Sequence, residues 1–324
     1  MIVREAGAPV PQLVRGGQLS TSHFAVNYET GPRRVWLTLY GNRIRDLVAL
    51  LVVAPRISHT IGGIAMPVAH IHGIDFAWRS DGPESAPALL LSNSLSSDLA
   101  MWDDQVPSWS RRFRVIRYDQ RGHGQTPAPP GQYSMAQLGQ DAVALLDHLE
   151  IAQAHFCGLS MGGMVGMWLL THAPERIARA VLSNTSAHMG PPELWNGRIA
   201  LAQEGGMEAT VEPTVKRWFP IAFHEHAPAT IERMRSMIRR TSLPGYIGCC
   251  TAIRDMDQRD AIRAIRNPTL VIIGANDPAT TPEAGRAIHA AIPGAALAVI
   301  DAAHISNVEQ PDAFTRTVAE FLVT

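Results

Sequence analysis

Lysine is almost missing from this chain. Lys216 stands alone, and arginine supplies the rest of the 28 basic side chains, set against 29 acidic ones for a formal charge of −1. Nucleic-acid binding requires a basic face, and no Lys/Arg cluster here is large enough to make one. Cysteine is scarce too. Cys157, Cys249 and Cys250 are odd in number and irregular in spacing, which gives no support to a disulfide framework. The adjacent Cys249 and Cys250 read as reduced thiols in a packed helix. No Cys/His group has zinc-site spacing, so no metal is expected. Long apolar runs are also wanting. The longest, Leu47 to Pro55, falls well short of the roughly 20 residues that span a bilayer, so no membrane association is expected. The N-terminus lacks the charged start, apolar centre and small-residue cleavage site of a secretory signal, which leaves the cytoplasm as the expected compartment.

What remains is the composition of a globular enzyme. The 324 residues are 46% hydrophobic and 18% charged, enough for one large α/β domain carrying an inserted lid. From Met66 the pattern becomes regular. Val68 to His72 and Ile74 to Trp78 alternate about Gly73, which predicts a β-hairpin. Short apolar runs follow at Ala88–Leu91, Arg114–Tyr118, Ala154–Cys157, Ala180–Ser183, Thr269–Ile273 and Ala296–Ile300. Helical spacing separates several of them, over Leu138–Leu149, Met161–His172, Pro282–Ile292 and Phe314–Leu322. Alternating β and α elements predict a mostly parallel, doubly wound sheet with helices on both faces. Residues 66–186 and 261–324 form this core. The stretch 187–260 breaks the alternation, is rich in Met, Trp and Arg, and is expected to be a helical cap over the carboxyl edge of the sheet.

The strongest chemical signal is Gly158-Leu159-Ser160-Met161-Gly162. It places G-x-S-x-G between a predicted strand and a predicted helix, the context of a nucleophile elbow. Glycines on either side allow strand and helix to pass close together. A serine hydroxyl needs a base to become nucleophilic. In this arrangement an acid and then a histidine follow along the chain. Asp277 comes just after the Thr269–Ile273 strand and His304 just after the Ala296–Ile300 strand, at the edge where doubly wound sheets hold their sites. His304 is expected to act as base and Asp277 to fix its tautomer. Asp301 is the rival acid, but it lies on the same short loop as His304 and reads as loop-stabilising. The oxyanion hole is expected from two backbone N–H groups. Met161 directly follows the nucleophile, and Leu95 lies in the Ser92-Asn93-Ser94-Leu95 loop after an early strand. Asp119-Gln-Arg-Gly-His123-Gly124 reads as a structural turn, with His123 a weak candidate for chemistry.

Several of these runs resemble one family. Ser92-Asn-Ser-Leu95 with Met101-Trp102, Arg117 to Gly124, His155 to Gly163, Ala252 to Asp257, and Asp301-Ala-Ala-His-Ile-Ser-Asn-Val-Glu-Gln-Pro311 are similar to the 3-oxoadipate enol-lactonases of the α/β-hydrolase superfamily. The elbow and the aspartate turn are common to the superfamily; the Ser-Asn-Ser-Leu loop and the Ala-Ala-His-Ile-Ser-Asn run are more specific. The resemblance covers Met66 to the C-terminus. It implies an α/β-hydrolase fold and hydrolysis of 3-oxoadipate enol-lactone in bacterial catabolism of protocatechuate and catechol, with no metal and no organic cofactor. The implied substrate is a small acidic lactone, whose carboxylate must be paired when buried. The cap offers Arg198, Arg217 and Arg254 for that, and Trp195 and Trp218 as apolar wall.

Two readings stay open on the residues alone. The chain could be another small-ester or C–C bond hydrolase of the superfamily, such as a carboxylesterase or perhydrolase, or a non-catalytic ligand-binding protein on the same fold. Residues 1–65 have no counterpart in the resemblance and show no sustained helical or strand period. With arginine so dominant over lysine, GC-rich coding is expected, and this segment is read as a disordered tail or the product of a mis-assigned start.

Overall fold

The structure is a computed structural model that describes residues 66–323 together with the backbone of Phe24–Thr30 and Arg33–Leu39. Those two segments, β1 and β2, pair antiparallel, with Phe24 opposite Leu39 and Thr30 opposite Arg33. This corrects the reading that the first 65 residues show no sustained strand period. Val35, Leu37 and Leu39 do alternate, and Gly31-Pro32 is a turn signal between the strands. The rest of what was expected of residues 1–65 lies outside the described residues. The hairpin belongs to a unit of its own, Met1–Ala65, and the remainder of the chain is a second unit.

In that second unit, short β-branched and leucine-rich runs become strands, buried on both faces in the middle of the sheet and partly exposed in β3, β4 and β10. They are β3 (Val68–Ile71), β4 (Ile74–Asp81), β5 (Ala88–Ser92), β6 (Arg114–Tyr118), β7 (Ala154–Leu159), β8 (Ile177–Ser183), β9 (Thr269–Gly274) and β10 (Ala296–Ile300). They form one eight-stranded sheet in the order β10-β9-β8-β7-β5-β6-β4-β3. From β10 to β6 every neighbour is parallel, and β4 is antiparallel to both β6 and β3. Gly73, at φ +79°, makes the turn between β3 and β4. Strand β9, next to the β10 edge, is buried at every position.

The helices numbered here are those of six residues or more. On the sheet pack α1 (Met135–His148) and α2 (Met161–His172), and, later in the chain, the two C-terminal helices α7 (Pro282–Ala291) and α8 (Pro311–Leu322). Ser134 caps α1 by accepting the Gln137 N–H at 3.1 Å. Between β8 and β9 run α3 (Pro192–Trp218), α4 (Ile221–His226), α5 (Pro228–Arg240) and α6 (Leu243–Asp255). Gly206, at φ +67°, breaks α3 into two helical halves. An antiparallel bridge between His188 and Asp257 ties the two ends of this helical insertion. Cys249 and Cys250 are buried free thiols in α6, as is Cys157 in β7. Among the described residues no helix is long and apolar enough to cross a membrane.

Candidate active site

The chemistry-bearing residues sit where the central parallel strands end. β7 runs straight into α2, and the single residue between them is Ser160, at φ 58° and ψ −117°. A non-glycine residue in that region is strained, a condition that persists only where the surroundings enforce it. Here they do. The Ser160 N–H donates to the Ser183 carbonyl at 2.9 Å, and the Ser160 carbonyl accepts from Thr185 Oγ1 at 2.7 Å. A Cβ on Gly158 would run into the Gly162 carbonyl, and one on Gly162 into the Ser92 carbonyl. Both glycines are therefore required by backbone-to-backbone contact.

The loops after β9 and β10 bring the other two groups alongside. His304 Nε2 lies 2.9 Å from Ser160 Oγ, and His304 Nδ1 lies 2.9 Å from Asp277 Oδ2. All three side chains are buried. Asp277 is the most heavily solvated by protein. Its Oδ1 accepts from the N–H groups of Ala279 and Thr280, at 2.8 and 3.0 Å. Its Oδ2 accepts from Thr280 Oγ1 at 2.8 Å and Asn184 Nδ2 at 3.1 Å as well as from His304. Burial alone would raise its pKa; attraction to His304 and these hydrogen bonds outweigh that and hold it at about 2. The ionised carboxylate then keeps the proton of a neutral His304 on Nδ1, which leaves Nε2 as an acceptor facing Ser160. Asp301 takes no part. It is exposed and accepts from Asn276 Nδ2 at 2.9 Å, a loop contact.

Asn184, just past β8, was not anticipated from the sequence. It is buried and uses its whole amide. Nδ2 donates to Asp277 and, at 2.9 Å, to the Ala303 carbonyl; Oδ1 accepts from Ser183 Oγ and Ser306 Oγ at 2.7 and 2.6 Å. It thus ties the acid to the histidine loop. Only the dipeptide Ser183-Asn184 at a strand end could have signalled it, and that pattern looks like any loop start. Ser306 and Asn307 explain the Ala-Ala-His-Ile-Ser-Asn run. Ser306 bonds Asn184, while Asn307 Nδ2 donates to the Met101 carbonyl at 2.8 Å.

Across the cleft, the Ser92–Leu95 loop is held at its start by Asn93. The Asn93 amide donates to the Tyr118 carbonyl at 2.8 Å and accepts from Trp102 Nε1 at 2.8 Å. The Ser94 hydroxyl makes only a 3.5 Å contact, so Asn93 does most of the tying. The N–H groups of Leu95 and Met161 donate to no group among the described residues. Met161 is the first residue of α2, where the helix dipole also favours negative charge.

The helical insertion closes the cavity. Trp195, Arg198, Arg217 and Trp218 all line the same space as Ser160, Leu95 and His304. The Trp218 carbonyl accepts the His304 N–H at 3.2 Å, which joins α3 to the histidine loop. Neither arginine is paired with a carboxylate among the described residues. Arg198 lies 4.3 Å over the Trp195 ring, and Arg217 donates to Thr214 Oγ1 at 3.1 Å. Burial, then the neighbouring Arg198 cation, push Arg217 down to about 10. Arg254 is a correction. It does not reach the cavity; it bonds Asp255 at 2.7 Å and Asn196 at 2.9 Å on the outside of the insertion. From the sequence all three arginines sit on helices of the insertion, and the helix face each one occupies is decided by packing. Among the described residues no group of three or more His, Cys, Asp or Glu could hold a metal ion.

Comparison with known proteins places the fold in a family. The family model for the alpha/beta hydrolase fold matches residues 87–311. The chain is 40% identical over 259 residues to 3-oxoadipate enol-lactonase 2 of Acinetobacter baylyi, covering 78% of this chain and 97% of that protein. The solved enol-lactonase of Burkholderia xenovorans LB400 superposes with a TM-score of 0.79 at 44% identity, over 80% of this chain and 100% of that one. A hydrolase from Pseudomonas aeruginosa PA01 does so with a TM-score of 0.78 at 46% identity, over 80% and 99%. This chain belongs to the α/β-hydrolase family, alongside the 3-oxoadipate enol-lactonases, and is a carboxylic-ester hydrolase.

Proposed function

We propose that the enzyme hydrolyses 3-oxoadipate enol-lactone to 3-oxoadipate through an acyl-enzyme on Ser160. In this reading His304 takes the Ser160 proton as the oxygen attacks the lactone carbonyl, and Asp277 stabilises the imidazolium. The Leu95 and Met161 N–H groups receive the developing oxyanion. Collapse breaks the ring C–O bond and expels an enol oxygen, which takes the proton from His304; the enol tautomerises to the ketone. His304 then draws a proton from water, whose oxygen attacks the acyl carbon, and returns that proton to Ser160 Oγ as the Ser160–acyl bond breaks to release the second carboxyl group.

The observation that carries the choice of substrate is the pair Arg198 and Arg217. Two cations line the nucleophile's cavity without a carboxylate of their own. Holding unpaired charge there is unfavourable, and an anionic substrate relieves it. A neutral ester would not. The identity to the Acinetobacter and Burkholderia enzymes supports the same substrate. The test compares kcat/KM for freshly generated enol-lactone with that for a p-nitrophenyl ester. A strong preference for the lactone is expected. A preference for the simple ester would instead favour a general carboxylesterase.

A further inference from the structure

The Asp119–Gly124 turn contains a buried histidine that the mechanism above does not use. His123 is 1% exposed. Its Nε2 lies 3.0 Å from the backbone N–H of Ser96, and its Nδ1 lies 3.2 Å from the Arg121 carbonyl. A carbonyl can only accept, so Nδ1 carries the proton, and Nε2 accepts from Ser96. Both ring nitrogens are engaged within the protein, which leaves neither for proton transfer to substrate.

Ser96 directly follows Leu95, and it is itself in the left-handed region at φ +66°. Such a conformation in a non-glycine residue is strained and persists only where neighbours hold it. The group that holds the Ser96 peptide is the His123 ring. The loop is thus pinned on both sides of Leu95: Asn93 fixes the entering strand end and His123 fixes the departing peptide. We propose that His123 is a positioning residue for the oxyanion hole, its neutral imidazole fixing the Leu95–Ser96 peptide so that the Leu95 N–H stays aimed at the developing oxyanion. This rests on the reading of Leu95 as an oxyanion donor.

The turn that carries His123 is itself immobilised. A Cβ on Gly122 would collide with the Gly245 backbone, and the Ser242 N–H donates to the Gly122 carbonyl at 3.1 Å. The start of α6 therefore clamps the turn from one side, and the oxyanion loop meets it on the other. Asp119 adds two more ties, accepting the N–H groups of Leu99 and Gln125, each at 2.8 Å. Burial lowers the His123 pKa to about 4 against the opposing effects of the Arg121 carbonyl and the Asp98 carboxylate, so the ring remains an acceptor near neutral pH.

Three variants of the full chain test this: H123L, H123N and H123Q. Glutamine can present an acceptor oxygen near the place of Nε2; asparagine is too short and leucine has none. Each is assayed with the enol-lactone and with p-nitrophenyl acetate, and titrated with phenylboronic acid, which forms a tetrahedral adduct on the serine, and with adipate, a planar product-like ligand. H123L and H123N are expected to lose about 10- to 100-fold in kcat on both esters with KM little changed, as for a displaced oxyanion donor. Boronate affinity should weaken by the same factor, adipate affinity should hold, and H123Q should recover most of the loss. Undiminished kcat in H123L or H123N overturns the proposal. So does a loss of activity with boronate affinity intact, which marks a smaller folded fraction, or an H123Q no better than H123N. If the wild type turns over p-nitrophenyl acetate but not the lactone, the substrate assignment fails while the ester arm still reports on His123.

Discussion

Two regions of the same unit treat their charges in opposite ways. At the sheet rim the buried carboxylate is fully satisfied by protein: Asp277 accepts from backbone, Thr280, Asn184 and His304. In the helical insertion the outer arginines are likewise paired, Arg235 with Glu212 at 2.6 Å and Arg239 with Glu208 at 2.8 Å. Its inward Arg198 and Arg217 are not paired with carboxylates. A rim completed by protein is pre-organised for chemistry that is the same for any ester. An insertion left with unpaired cations is incomplete until a ligand arrives, and so it selects the ligand. On the proposed reading, chemistry belongs to the sheet and recognition to the helices.

Asp277→Asn strikes the rim and should have the largest effect. The amide cannot stabilise the imidazolium and favours the wrong tautomer, so kcat should fall by about 10⁴-fold with KM little altered. Steady-state kinetics on both esters would show it, and a loss confined to the lactone would break the division of labour.

Arg217→Ala strikes the insertion instead. KM for the anionic lactone should rise by about 10- to 100-fold, the value of one charge-assisted hydrogen bond or two, while p-nitrophenyl acetate is hydrolysed as before. Arg254→Ala is the matched comparison, an arginine of the same insertion already paired outside the cavity, and both substrates should be unaffected. Equal losses on the neutral and the anionic substrate in Arg217→Ala would contradict the assignment.

The smallest effect is on stability against pH. His123 binds its proton at about 4 when folded against 6.5 ordinarily. Between those values the unfolded chain holds a proton that the folded protein lacks, so stability is full above about 6.5 and declines as pH falls toward 4. Asp119, raised by burial to about 6, works the other way, gaining stability on acidification, and is common to wild type and H123Q. Differential scanning calorimetry from pH 7 to 4.5 should therefore show Tm falling further in wild type than in H123Q. Parallel curves would mean that the ring takes up its proton without cost.

Strand ends made much of the site legible in advance. Ser160, Asp277 and His304 each follow an apolar run long enough to be a buried strand, and parallel strands deliver their C-terminal loops to one rim. Hydrogen bonds between distant segments were hidden. Asn184 and His123 act on residues that are 93 and 27 positions away, Asp277 and Ser96 respectively, and no local pattern reports such pairs. The β1–β2 hairpin was missed although Val26 and Tyr28 alternate with Asn27 and Glu29, because the alternation is short and stands apart from the regular pattern that begins at Met66.

From Met66 onward the sequence by itself determined the alternation of strands and helices, the nucleophile elbow and the rim at which Ser160, Asp277 and His304 would gather. Periodicity and glycine placement are local constraints on the backbone, and they are written residue by residue. Only the tertiary structure decided which arginines face the cavity, which amide bonds Asp277 and which imidazole accepts the Ser96 N–H. Those outcomes depend on the rotation of packed helices and on the meeting of loops, and a shift of one residue in either would exchange an inward guanidinium for an outward one.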